Sequence, residues 1–409
     1  MKINLPVNVN YIINELNKCG YEAYVVGGCV RDSIIGLVPH DWDICTSALP
    51  EQIVDVFCDH KIIPTGIKHG TVTVVIEDEQ YEVTTYRIDG EYEDNRHPTG
   101  VTFTNSIKDD LKRRDFTINA MAYSPSVGLV DFFGGKKDIK NKVIKCVGKP
   151  DDRFNEDALR ILRAIRFSIT LGYNIEQKTL RSIYENKKLL KNISVERINA
   201  EITKALSCGY SIAMGKILQV VIPELTDKMV NDAMTMVGIF DTSLNVRIAL
   251  VFNFDERKQK EILQRLKFDN KTIKKVCGIR KLTYNIRKYK DEELVPPIIM
   301  KRVLSYNNTI ANDVISALRC TSYLDGTTSY YVFADKMSEC LQECKNECYK
   351  ISHLKVNGED MKAIGFFGEK IGIILNALLS AVIEECIPNE YDALIGYSQN
   401  FIKLNQKKY

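Results

Sequence analysis

The pattern of apolar and polar positions changes character once along the 409-residue chain. Up to about residue 140, short apolar runs alternate with brief helical patterns. "YEAYVV" (21–26) and "DWDICT" (41–46) read as strands, and "TVTVVIED" (71–78) with "YEVTTYR" (81–87) as a hairpin around the polar "EDEQ". "CVRDSIIG" (29–36) and "LPEQIVDVF" (49–57) read as helices, the second with Pro50 suited to a first helical turn. After residue 150 the β-branched alternation gives way to helical periodicity. "NEDALRILRAIRFSITLGY" and "SVERINAEITKALSCG" each end near a glycine. The expected fold is an α/β head with a mixed β-sheet, followed by an all-helical remainder.

Composition narrows this picture only slightly. Hydrophobic residues make up 45% and charged residues 27%, as in ordinary globular proteins. The N-terminal stretch lacks the pattern of a signal peptide. The longest apolar run, "IGIILNALLSAVI" (371–383), is shorter than a membrane span needs, so no membrane partner is expected and a cytoplasmic location is. Twelve cysteines are scattered without a CxxC pair. Cys340, Cys344 and Cys348 recur every four residues and are expected on one face of a helix, as a core stripe. The formal net charge is only +3, yet residues 141–205 carry a local +6. Such a segment on a near-neutral chain suits a polyanionic partner. The polar, turn-rich segment "RIDGEYEDNRHPTGVTF" (87–103) is expected to be a mobile functional loop.

The chemistry concentrates in "VVGGCVRDSIIGLVPHDWDICT" (25–46). In a strand, Asp41 and Asp43 project to one side with Cα atoms about 7 Å apart. Paired carboxylates suit Mg²⁺, which takes oxygen ligands and leaves its other positions to water and phosphates. Gly27 and Gly28 fall between a strand and a helix start, where bare backbone and free N–H groups can meet a phosphate. Arg31 adds a cation for the same phosphates. Glu82, on a strand with alternating neighbours, is a candidate third carboxylate of the cleft.

These residues resemble the first motif of the class II tRNA nucleotidyltransferase and bacterial poly(A) polymerase family. "LKRRDFTINAMAY" (111–123), "VDFFGGKKDIKNKVI" (130–144), "NEDALRILRAIRF" (155–167) and "SVERINAEI" (194–202) resemble its later motifs, in its order. The resemblance spans roughly residues 20–205. It implies a catalytic head (1–140), a nucleotide-selecting neck (141–205), a body (206–320) and a tRNA-binding tail (321–409). It further implies addition of CCA to tRNA from CTP and ATP, with Mg²⁺ held by Asp41 and Asp43. Gly28 and Arg31 would hold the triphosphate, Arg113 or Arg114 would contact nucleotide phosphates, and Asp115 and Asn119 would lie near the sugar. In the selecting segment, Asp157 and Arg160 are expected at i and i+3 on one helix face. There a carboxylate acceptor beside an arginine fork would read the edge of cytosine or adenine, both of which carry an exocyclic amino group. Arg163 and Arg166 continue the same basic row.

Two relatives of this activity compete. A poly(A) polymerase shares the head motifs, but "IPTGIKHGTVTV" (63–74) resembles the CCA-adding branch and no "GRRF"-like run occurs. A CC-adding enzyme would have a shortened loop where 87–103 looks complete; A-only addition stays open. A binding protein that had lost catalysis would lack Asp41 or Asp43, and an HD hydrolase would need histidines this chain does not place before a helical Asp.

Overall fold

The computed structural model describes residues 2–90, 100–289 and 295–406. The chain divides into two compact units, Met1–Glu224 and Leu225–Tyr409.

The first unit is built on a seven-stranded mixed sheet. Helix α1 (Val7–Lys18) precedes β1 (Ala23–Val26), α2 (Gly28–Ile35), β2 (Ile44–Thr46), α3 (Pro50–Val56), β3 (Lys61–Gly66), β4 (Thr71–Ile76) and β5 (Glu79–Thr85). After β6 (Arg87–Asp89), β7 (Val101–Phe103) and α4 (Ile107–Lys112), β8 (Ala122–Ser124) and β9 (Gly128–Val130) return to the sheet. Its order is β3-β4-β5-β2-β1-β8-β9, with β2 parallel to β5 and the other pairs antiparallel. The β4–β5 hairpin turns through Glu77 and Asp78, both at positive φ, the two-residue turn whose twist suits paired strands. Tyr24, Val26, Cys45, Tyr86, Leu111 and Ala122 form one buried cluster, so the strands that carry the glycines and the carboxylates are fixed from below.

The 87–103 segment departs from an open loop. Its ends pair as antiparallel β6 and β7, Arg87 opposite Phe103 and Asp89 opposite Val101. The expected mobile stretch, with Arg96, His97 and Pro98, lies outside the described residues.

Helices follow: α5 (Gly135–Lys140), α6 (Pro150–Glu156), α7 (Leu159–Leu171), α8 (Gln177–Asn186), α9 (Val195–Leu206) and α10 (Ile212–Val221). Helix α7 packs on α9. The break between α6 and α7 falls at Asp157, which is extended at φ −140°. Its carboxylate accepts the N–H of Leu159 at 3.0 Å. Asp157 therefore precedes the helix that carries Arg160 instead of sharing its face. The reason is local: an aspartate side chain offers the backbone a cap that competes with continuing a helix.

Every regular element described in the second unit is a helix. Leu354, Met361, Ile374, Leu378, Ile383 and Leu394 form a core near its C-terminal end. The apolar run 371–383 lies in the helix Glu369–Ile383 and turns Ile374, Leu378 and Leu379 inward. No helix among the described residues is long and apolar enough to cross a membrane. The cysteine stripe is shorter than its spacing suggests. The helix Thr328–Asn346 carries Cys340 and buried Cys344, but ends before Cys348. Among the described residues no group of three His, Cys, Asp or Glu side chains could hold a metal.

Candidate active site

The sheet brings the two halves of the opening motif to one edge. The N–H of Val26 donates to the carbonyl of Asp43 at 3.0 Å, so Asp43 already belongs to the β1–β2 pairing although the ladder is regular only from Ile44. Asp41 and Asp43 are exposed and line a cleft of about 790 Å³ with His40, Trp42, Thr73 and Glu82. Ile44 stands opposite Val83 in the parallel β2–β5 pair, and Glu82 is one step earlier on β5. The third carboxylate thus enters the same cleft.

The Asp43 carboxyl has its pKa raised. Lost hydration is the larger cause; Arg114 opposes it, and the neighbouring charge of Asp41 adds to it. The side chain is open on one face, while the packed backbone behind it still strips part of its water. Two crowded carboxylates, one of them reluctant to ionise beside the other, fit a hard divalent cation: its charge would relieve both effects, and two oxygens leave room for water and phosphate oxygens.

Directly after β1, Gly27 sits at φ +84° and ψ −129°, a conformation essentially restricted to glycine. A Cβ there would also lie 3.0 Å from Nη1 of Arg114. Helix α2 starts at Gly28 and closes at Gly36, itself left-handed. Arg31, in the first turn, is buried and fully engaged. It donates to Asp32 at 2.9 Å and to Asn119 Oδ1 at 2.6 Å, and stands 5.0 Å over the ring of Phe167.

From Asn119 a chain of bonds runs on. Asn119 donates to Asp115 Oδ1 at 3.0 Å, and Arg163 grips Asp115 Oδ2 with Nε at 2.8 Å and Nη2 at 2.6 Å. Arg166 in turn donates to Glu201 Oε2 at 2.5 Å. Arg163 and Arg166 both stand over Phe167 as well. Burial alone would push the Asp115 carboxyl up, but Arg163 and the Asn119 amide outweigh it and hold it at about 2.

Arg113 and Arg114 share Asp110, which is completely buried. Arg113 reaches Oδ1 at 2.8 Å and Arg114 reaches Oδ2 at 3.3 Å. Burial raises the Asp110 carboxyl, and the two guanidinium groups outweigh it, so its pKa is lowered. Asp157 is gripped by Arg197 Nη2 at 2.7 Å. Arg160 is buried, with its guanidinium held by Glu156 and by the carbonyls of Arg153 and Arg113, each carbonyl at 3.0 Å.

Sequence reading missed Asp110, Glu201, Arg197 and Glu156. Asp110 was findable, because Arg113 and Arg114 follow it at i+3 and i+4. Glu201 and Arg197 meet partners 35 and 40 residues away, and no local spacing announces them.

The poly A polymerase head domain family matches residues 23–145, and a "Probable RNA and SrmB- binding site of polymerase A" matches 172–229. A tRNA nucleotidyltransferase domain 2 matches 241–397. The chain is 32% identical to the CCA-adding enzyme of Lactiplantibacillus plantarum over 404 residues, 95% of this chain and 94% of that one. The chain belongs to the CCA-adding enzyme family. Similarity to the CCA-adding enzyme of Enterococcus faecalis reaches 51% identity over 195 residues, and there the match spans about half the length of the relative, 48%. Among solved structures, the Bacillus stearothermophilus CCA-adding enzyme in complex with CTP is 29% identical, with a TM-score of 0.78 and 98% of each chain covered. Family members use a divalent metal, in keeping with the carboxylate cleft.

Proposed function

We propose that this chain adds CCA to the 3′ end of tRNA from CTP and ATP, without a nucleic-acid template, and releases pyrophosphate. One observation carries the reading: two crowded carboxylates, without a side-chain partner among the described residues, share a cleft, and Asp43 pairs through its carbonyl with Val26 at the end of β1, directly before the glycine-initiated helix that carries buried Arg31. The CTP bound by the Bacillus stearothermophilus relative supports the same substrate class.

Asp41 and Asp43 would hold Mg²⁺, which when bound stabilises the attacking and leaving oxygens of the transfer, and Glu82 lines the same cleft. The chain's own groups do the rest. Gly27 and Gly28 let backbone N–H groups approach the triphosphate, and Arg31 lies in the same first turn with its guanidinium already oriented by Asp32 and Asn119. Arg113 and Arg114, aimed by Asp110, contact nucleotide phosphates, and Asp115 with Asn119 borders the sugar. Preorientation spares the transition state the cost of arranging these donors. The tRNA 3′-oxygen bonds to the α-phosphorus as its hydroxyl proton departs, and the bond to pyrophosphate breaks. Asp157 and Arg160 read the base, each held by neighbours, Arg197 for the first and Glu156 for the second. Head (1–140), neck (141–205), body (206–320) and tail (321–409) divide the work, the last two gripping tRNA through phosphate charge and shape. The cytoplasm is the compartment where these substrates meet.

The test is incubation with tRNA lacking its last three nucleotides, Mg²⁺ and CTP, ATP or both, resolved at single-nucleotide length. Two C's followed by one A, and no further growth, is the expected result. A long A tail from ATP alone would make the chain a poly(A) polymerase. Arrest after CC with both nucleotides present would make it a partial enzyme.

A further inference from the structure

We infer that a cationic and aromatic cleft in the second unit binds one RNA phosphate together with the base beside it; the inference rests on the reading of the chain as a tRNA-extending enzyme. The helix Asn270–Ile286 carries Arg280, Thr283 and Tyr284, and these line a cleft of about 270 Å³ with Asn253, Arg287 and Thr321. Arg280 Cζ stands 4.7 Å from the centre of the Tyr284 ring, and Lys288 Nζ stands 4.3 Å from it. Tyr284 is 49% exposed, so two cations and a half-exposed aromatic residue meet at one spot.

Two donors there are unspent. Arg280 has no hydrogen-bond or ion-pair partner among the described residues, and its Nε is buried without an acceptor. Thr283 is 5% exposed, and its Oγ1 is also buried without a partner. A buried donor left unmade is costly, and the cost is recovered when an acceptor arrives. Arg287 differs, since Asp325 already pairs with it. Burial lowers the Arg280 pKa, Tyr284 and Asp255 offset part of this, and Arg287 lowers it further, so the guanidinium lacks a sufficient anion. Asp255 is committed to capping the helix Glu256–Arg265 through the N–H of Lys258.

An acceptor-only anion with a flat apolar neighbour meets all of these demands. A phosphodiester offers oxygens to Arg280 and Thr283, and the adjoining base offers a face to Tyr284. Charge plus stacking is the chemistry of sequence-tolerant RNA binding, which a tRNA enzyme needs for substrates of many sequences.

The experiment measures anisotropy of labelled tRNA lacking CCA, on the full chain, across a salt series. Arg280→Ala is expected to weaken binding about tenfold and to reduce the slope of log affinity against log salt by about one. Tyr284→Ala is expected to weaken it about tenfold while Tyr284→Phe keeps wild-type affinity, because stacking needs only the ring. Thermal melts accompany each variant. Should Arg280→Ala unfold, Lys288→Ala, an exposed cation, carries the same expectation at about threefold. Unchanged affinity and slope in Arg280→Ala and Lys288→Ala would overturn the assignment. Displacement of the tRNA by equimolar CMP from wild type but not from Arg280→Ala would make this a free-nucleotide site and overturn it too. If the wild-type chain extends tRNA while all these variants bind normally, the cleft alone is wrong; if it binds tRNA through the cleft but never extends it, the proposed function is wrong.

Discussion

Two sets of acidic side chains in the first unit are built on opposite terms. Asp110 and Asp115 are buried, gripped by arginines, and have their pKa values lowered. Asp41 and Asp43 are exposed, stand beside each other without a hydrogen-bond or ion-pair partner among the described residues, and Asp43 is raised. The difference separates carboxylates whose partners the fold supplies from carboxylates left open to a partner that arrives, the role proposed for Asp41 and Asp43. A carboxylate with its partners supplied orients the arginines around it and gains stability from them. A carboxylate without partners contributes little to folding and is free to meet charge that arrives with the substrate.

Exchanging the charge of the open set should produce the largest effect with the smallest structural cost. Asp43→Asn is expected to lower the rate of nucleotide addition at least about a thousandfold, the scale of removing one electrostatic element from a transition state. Its melting temperature is expected to stay level or rise, because the repulsion with Asp41 disappears. Extension rates near wild type would show that the open carboxylates are not the working ones. A large drop in melting temperature would place Asp43 with the scaffold.

The closed set should answer in the opposite currency. Asp115→Asn leaves Arg163, a third of whose side chain is exposed, against a neutral amide and is expected to cost about 2 kcal/mol in urea unfolding, less than a fully buried ion pair because water screens the open side. The pH dependence gives an independent check. The folded carboxyl is held at about 2, below its ordinary value, so its contribution is complete above the unfolded pKa, near 4, and is lost as pH falls from there towards about 2. Wild type should therefore lose more stability across that window than Asp115→Asn. Parallel curves would mean that Asp115 is not held by Arg163 in solution.

The same contrast explains what the sequence made visible. Asp41, Asp43, Gly27 and Arg31 fall within 17 residues, so their clustering is readable locally, although Asp41 and Asp43 precede β2, which starts at Ile44, instead of alternating along it. The head-to-helix change of pattern was legible for the same reason, since periodicity is local. The closed network was not. Arg163 finds Asp115 across 48 residues and Arg166 finds Glu201 across 35, distances that only the fold sets. Local reading also failed where a side chain interrupted its own element. Asp157 breaks the helical periodicity around it by accepting the N–H of Leu159 at the start of α7.

Asp157 is the side chain that belongs to neither set, and the smallest predicted effect falls on it. Its Oδ1 accepts from the N–H of Leu159 and from Arg197 Nη1, and its Oδ2 accepts from Arg197 Nη2, yet its side chain is 18% exposed. It is thus oriented like a scaffold residue and accessible like a reactive one, which is what reading a base requires. An acceptor here favours cytosine and adenine, whose exocyclic amino groups donate, over uracil, which presents an acceptor in that place. Asp157→Ala is expected to leave the rate with CTP within about tenfold of wild type and to raise UTP incorporation relative to CTP about tenfold, the value of one base-edge contact. Arg197→Ala frees the carboxylate without removing it, so it should shift selectivity in the same direction by less. Competition between CTP and UTP on tRNA lacking its last three nucleotides measures both. Equal selectivity in wild type and Asp157→Ala would return Asp157 to the scaffold, as a cap for α7 and an anchor for Arg197.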